Sequence, residues 1–242
     1  MTGSRQSVRW LLAELLVVVF GILIAFYLDG VRQAVEDRGE EAAILASIGA
    51  ELEENRIGLE TRLDNHTRRG FAAAELLSLQ SSNAPPSGDS VQVLWELLLT
   101  PSTWNPTTGR SSAIISSGGL GLVRDPSVRA AISAWPSQLE AFLEVELSWR
   151  NFLRNEVEPW LDASTSLSTT AFAAVNSDSG ALGPPTPSPS ASAEITADPV
   201  FRNYLTRFTV WSSWTVSNGR RLQAGIDETL TLLENAGTSF RP

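Results

Sequence analysis

The chain of 242 residues has no cysteine, no lysine and a single histidine, His66. Each absence removes a class of chemistry. Without cysteine there is no disulfide framework, no thiol nucleophile and no thiolate ligand for zinc or an iron–sulfur cluster. Without lysine there is no P-loop lysine, no Schiff base and no Ser-x-x-Lys hydrolase. One histidine cannot supply a His-x-x-x-His zinc pair or the paired Glu-x-x-His ligands of a di-iron bundle. All 18 basic residues are arginine, against 27 acidic residues, for a formal charge of −9. That balance argues against nucleic acid as a partner. No catalytic residue, metal ligand or cofactor is expected.

What is present begins with an apolar run, WLLAELLVVVFGILIAFYL, from Trp10 to Leu28. At about 1.5 Å per residue it covers the ~30 Å hydrocarbon layer, with Trp10 and Tyr27 placed as membrane-interface anchors. A cleaved signal peptide fits less well. The run exceeds a typical h-region, no small-x-small cleavage site follows, and DGVRQAVEDRGEEA continues as a helix. The sequence therefore predicts a retained single-pass transmembrane helix in a lipid bilayer. Arg5 and Arg9 before the run balance Arg32 and Arg38 after it. The short leading tail then favours a cytoplasmic N-terminus and an extracytoplasmic bulk.

Within the run, Glu14 is costly in hydrocarbon and is a functional hypothesis by default. Gly21 and Ala25 share its helical stripe, which gives a carboxyl group beside a small-x-x-x-small pair, the composition of a transmembrane helix-packing face. Docking against other membrane protein subunits is the expected role of Glu14, Gly21 and Ala25; the plainer alternative is that Glu14, one turn from the interface, reaches headgroups and water, and a proton relay is the least expected. A homo-oligomer is a further partner the sequence leaves open.

The expected organisation is a tail at 1–9, the transmembrane helix at 10–28, a stalk and first part of a helical bundle at 29–162, a Ser/Pro-rich excursion at 163–196, a final bundle helix at 197–236 and a C-terminal tail at 237–242. No proline interrupts Asp29 to Gln80. A stripe there runs Leu45, Leu52, Leu59, His66, Ala73, with Ile48, Asn55, Arg62, Arg69 and Leu76 between, so the seam is apolar first and polar midway. A long self-pairing coiled coil is not expected. His66 on this stripe is readable as a buried ligand or pH switch, or, as we prefer, as a hydrogen-bonded or solvent-edge histidine.

A turn-rich break at 81–90 precedes a short apolar helix at 91–100. A long helical pattern then reaches about Leu161, with Pro136 expected to kink it or mark a new start. The last helix carries Phe201, Tyr204, Phe208, Trp211, Leu222, Ile226, Leu230 and Leu233 on one face. Asp125-Pro126 and Asp198-Pro199 are both helix starts, with Asp capping and Pro at the first helical position. The fold class is all-α: an N-terminal transmembrane helix continuing into an antiparallel bundle of about four helices.

The strings ELLVVVFGILIAFYLDGVRQAVEDRGEEAAIL (14–45) and WNPTTGRSSAIISSGGLGLVRDPSVRAAISAW (104–135) resemble a bacterial family of single-pass membrane proteins, a domain of unknown function. Its members have a Glu-led span ending in a Gly-Ile-Leu-Ile-Ala-like run, a charged stalk and a Ser-Ser-Gly-x-Leu turn before a helix. The resemblance covers roughly residues 10–160 and departs at Phe26-Tyr27-Leu28-Asp29-Gly30, where the family tends to Gln, Asn and Trp, and at the insertion of 163–194. It implies the architecture and a bacterial inner-membrane setting with a periplasmic domain, and it places Glu14 in a recurring motif. It implies no activity.

Enzyme signals are weak. Ser117-Gly118-Gly119-Leu120-Gly121 lacks the G-x-G-x-x-G spacing and a preceding strand. A Ser–His–acid triad would need His66 from mid-helix, without a nucleophile elbow. Glu140, Glu144 and Glu146 read as solvated helix faces. There is no EF-hand loop. Seven tryptophans outside the apolar run are expected mostly in the core, with some at an interface. The sequence thus points to a non-enzymatic scaffold or accessory subunit bracing a larger membrane complex, such as a respiratory or photosynthetic assembly. An extracytoplasmic small-ligand sensor bundle is the alternative, against which stands the short leading tail.

Overall fold

The structure, a computed structural model, describes residues 3–80, 88–100, 104–165, 167–168, 186–187, 194–195 and 198–238. Ala, Leu, Glu and Arg dominate the first segment, and the first prolines of the chain come only at Pro85 and Pro86. Helix α1 accordingly runs unbroken from Gly3 to Gln80. At 1.5 Å per residue its 78 residues reach roughly 115 Å. The expected tail at 1–9 is therefore helical from Gly3 onward. From Glu14 to Glu36 every side chain is exposed, and burial begins at Glu41 and Leu45. The free stalk is thus short, about a dozen residues or roughly 20 Å beyond Leu28, because the remainder of α1 is built into the bundle.

The chain then returns along α1 as an interrupted leg. It comprises α2 (Gly88–Leu99), a non-helical stretch at 104–108, α3 (Gly109–Ser116) and a 3-10 turn (Gly119–Leu122). Gly118 turns α3 into that 3-10 segment at φ +77°, a conformation that glycine adopts without steric cost. Helix α4 (Pro126–Phe152) climbs back, and a π-helical turn (Leu153–Val157) leads into α5 (Glu158–Ser164). Helix α6 (Pro199–Thr238) completes an up-down-up-down path. The architecture is the all-α bundle of about four legs, with the second leg broken rather than one long helix.

Helix starts follow local chemistry. Asp125 accepts from the amides of Ser127 (2.7 Å) and Val128 (3.4 Å), with Pro126 in the first turn. Asp198 likewise accepts from Val200 at 2.6 Å. Pro136 lies inside α4, which continues through it without a new start. A proline removes one amide donor there, and the packing of Ile132, Trp135 and Leu139 into the core on either side holds the helix together. The described parts of the Ser/Pro-rich excursion are a two-residue antiparallel pairing of Leu167–Ser168 with Thr186–Pro187 and a fragment at Glu194–Ile195. Most of 163–196 and the turn-rich residues 81–87 lie outside the described residues.

Helices α1 and α6 cross at a constant antiparallel register set by small residues. A Cβ placed on Gly49 would meet Leu233 at 3.8 Å, one on Gly70 would meet Ser212 at 3.1 Å, and one on Gly219 would overlap Leu63. Two apolar clusters result. The stalk-proximal one gathers Ile48, Leu52, Leu59, Ile132, Trp135, Phe142 and Ile226. The distal one gathers Leu76, Trp95, Trp149, Phe152, Phe201, Leu205 and Phe208. In the distal cluster Trp95 stacks on Phe201 with centroids 4.3 Å apart.

Candidate functional site: a buried polar layer beneath an apolar groove

Between the two apolar clusters lies a polar layer. All ten residues of the α1 stripe from Leu45 to Leu76 are buried, including Asn55, Arg62, His66 and Arg69. The stripe turns polar midway because the core itself does. Opposite it, α4 contributes Glu146, which lies on the same helical face as Leu139, Phe142 and Trp149 and is buried with them. This corrects the expectation that the Glu140, Glu144, Glu146 group is solvated: Glu140 and Glu144 are exposed, and Glu146 is not. The signal in the sequence was its spacing of four from Phe142 and three from Trp149.

Glu146 holds the layer together. Arg62 Nε donates to Glu146 Oε2 at 2.6 Å, and a second Arg62 nitrogen donates to the same oxygen. His66 Nε2 lies 2.6 Å from Glu146 Oε1, and Arg69 Nη1 lies 3.4 Å from His66 Nδ1. This pattern fixes one tautomer: Nε2–H donates to the carboxylate, and Nδ1 accepts from arginine. The imidazole is neutral in that arrangement. Burial pushes its pKa below the ordinary 6.5, and the charges of Arg62 and Arg69 add to that effect against the pull of Glu146. Burial alone would raise the Glu146 carboxyl, but hydrogen bonds from His66 and Arg62 outweigh it and hold the group below its ordinary 4.5.

Arg69 has a different solution. Burial, reinforced by repulsion from Arg62, pushes it down to about 10. Arg69 Nη2 donates to the Thr100 carbonyl at 2.9 Å, just past the end of α2, where helix carbonyls lack partners. Its guanidinium also sits 5.0 Å from the Trp149 ring centroid. Arg69 therefore ties α2 and α4 to α1.

Two further carboxylates of α1 fasten the interrupted leg. Thr108 makes no side-chain cap for α3. Buried Glu51 supplies one across the bundle, accepting from the amides of Arg110 (2.7 Å) and Ser111 (3.2 Å). Asn55 exchanges two bonds with Thr107, at 2.7 and 2.8 Å. Glu41 accepts from the Arg124 amide at 2.6 Å. These side chains are buried because they complete backbone groups of the connector, not because they await a ligand.

Along the α1/α6 face the layer opens into a groove of about 710 Å³ lined by thirteen residues, among them His66, Gly70 and Phe71 from α1 and Ser212, Val216 and Arg220 from α6. Ser212 Oγ, at the groove, and Thr215 Oγ1, also on α6, are buried without a hydrogen-bond partner among the described residues. His66 does not activate Ser212, since both ring nitrogens are already engaged. Among the described residues no group of three or more His, Asp or Glu side chains is arranged to hold a metal ion.

Of the residues singled out in the sequence, Trp10, Glu14, Gly21, Ala25 and Tyr27 all lie on the exposed part of α1, away from the bundle. A Cβ at Gly21 would meet nothing within 4 Å. Sequence reasoning found the stripe that carries Arg62, His66 and Arg69 but not the Glu146 that unites them or the groove above. Comparison with family models, curated proteins and solved structures returns no match. Fold and site together define an all-α bundle carried on one helix that is long and apolar enough to cross a membrane.

Proposed function

We propose that this protein is a non-enzymatic, single-pass membrane scaffold or accessory subunit that braces a larger membrane protein complex. The observation that carries the reading is the continuity of α1. One continuous helix holds both the apolar segment, exposed from Glu14 onward, and a central leg of the bundle, so the two parts are joined through unbroken helical backbone. A single Glu14, Gly21, Ala25 stripe then offers a packing face to a partner helix in the bilayer. The polar layer supports the reading as well: its arginines, histidine and carboxylate are spent on one another, the arrangement of a structural network rather than of an acid–base pair poised for substrate.

In this reading the apolar segment sits in a bacterial inner membrane, with the N-terminus in the cytoplasm and the bundle in the periplasm. The absence of cysteine makes topology directly measurable. Ser137→Cys, on the exposed side of α4, should react in intact spheroplasts with a membrane-impermeant maleimide. Reaction only after lysis would reverse the orientation. Purification from native membranes in mild detergent should yield a stoichiometric assembly with other membrane subunits, and Glu14→Leu should release it.

A further inference from the structure

The groove on the α1/α6 face has a charge character opposite to that of the chain. Of its thirteen lining residues none is Asp or Glu, in a protein with 27 of them, whereas Arg220 and Arg221 line it beside the neutral His66. Arg221 donates to Asn218 at 2.7 Å. Neither Arg220 nor Arg221 makes an ion pair with a described residue. The polar layer beneath adds to the field, because Arg62 and Arg69 face one carboxylate and a neutral imidazole.

The remaining lining is apolar or small, and it is directional. Gly70 lies against Ser212, so antiparallel packing puts Phe71 and Ala74 at the end away from the stalk and Arg220 and Arg221 at the end towards it. Phe71 is 72% exposed although it lines the groove. It has no aromatic or cationic partner among the described residues. A volume of about 710 Å³ falls within the range of small-molecule sites. From Arg220 back to Thr209 the α6 wall is roughly 16 Å long, which covers most of an extended long acyl chain.

We propose that this groove binds a long-chain carboxylate, with its alkyl chain against Phe71, Ala74 and Val216 and its head group on Arg220, assisted by Arg221. A single guanidinium without a partner among the described residues, beside one already engaged with Asn218, matches a monoanionic head. The proposal is independent of the bracing role: a loaded groove and a complex held by Glu14 are separate properties, and either can be lost alone.

The test uses full-length protein in phosphatidylcholine nanodiscs titrated with palmitate labelled at the carboxyl carbon, followed by NMR against empty nanodiscs. The expected result is a distinct protein-bound carboxyl resonance saturating at one palmitate per chain. Arg220→Glu with Arg221→Glu should weaken it by about tenfold or more, whereas Arg150→Glu with Arg154→Glu, at exposed positions on the α4 side, should leave it unchanged. Circular dichroism and thermal melting establish that both double variants fold. Unlabelled hexadecanol should compete poorly. No saturable resonance, equal loss in both double variants, or displacement by hexadecanol as effective as by palmitate would each overturn the proposal. So would the finding that palmitate never saturates while the Arg220/Arg221 variant loses a co-purifying protein, which would make the groove a docking surface for a helix.

Discussion

Glu146 carries the most information of any single residue, because one carboxylate neutralises Arg62 and fixes the His66 tautomer in a polar layer between two apolar clusters. Removing one member of a buried ion pair leaves an uncompensated charge, so Glu146→Ala should cost about 3–5 kcal/mol in denaturant unfolding. Arg62→Met combined with Glu146→Leu should recover much of that loss, since an apolar replacement of a buried pair is often neutral. The same layer predicts a pH dependence. His66 has a folded pKa below its ordinary 6.5, so its contribution to stability is fully present above 6.5 and is lost as pH falls through the lower, folded value. Glu146, held below its ordinary 4.5, adds a second loss at more acidic pH. His66→Gln, which can still donate to Glu146 and accept from Arg69, should flatten the melting-temperature profile just below 6.5 and leave the more acidic loss in place. An unchanged profile in that variant would mean His66 is not the titrating group. His66 stood out in the sequence as the only histidine and as a member of the stripe. Its partner could not be named there, because the pairing spans 80 residues and depends on α1 and α4 running parallel across the core.

At the scale of elements, most of the architecture was legible because helix signals here are local. The Asp-Pro starts at 125–126 and 198–199, the apolar periodicity of the final helix and the proline-free run to Gln80 each rest on neighbouring residues. Less legible was the second leg, where α2, α3 and the 3-10 turn are short and held in place by α1. Thr108 stands at the start of α3 without capping it, and Glu51, 57 residues earlier in the chain, does the capping. Glu51→Ala should therefore destabilise the protein by about 1–2 kcal/mol, with hydrogen exchange rising first at the amides of Arg110 and Ser111. Equal protection in the variant would show that α3 holds without it. Pro136 starts no new helix, for the opposite reason: a local breaker is overridden by buried neighbours on both sides. The α1/α6 crossing adds a steric test. A Cβ at Gly219 overlaps Leu63, so Gly219→Leu should separate the two helices and lower the melting temperature, whereas Gly237→Ala, with nothing within 4 Å, should not.

At the scale of the whole molecule, near-zero mean hydropathy is an average over two unlike parts. One is an exposed apolar length of helix, and the other is a bundle with its own two-part core. Composition alone suggested an ordinary acidic protein; the uninterrupted apolar run at one end of α1 changes that. The groove was not legible, because its lining comes from two helices some 140 residues apart in sequence and is defined by small side chains that carry no motif. The central claim is that this chain works by contact within a larger membrane complex. The most direct measurement is the mass and composition of the particle that the full-length protein forms when extracted from its native membrane in mild detergent. The account predicts a stoichiometric complex with other membrane subunits that dissociates in Glu14→Leu, while the bundle itself melts unchanged. Recovery of the wild-type protein as a lone monomer or homodimer would contradict it.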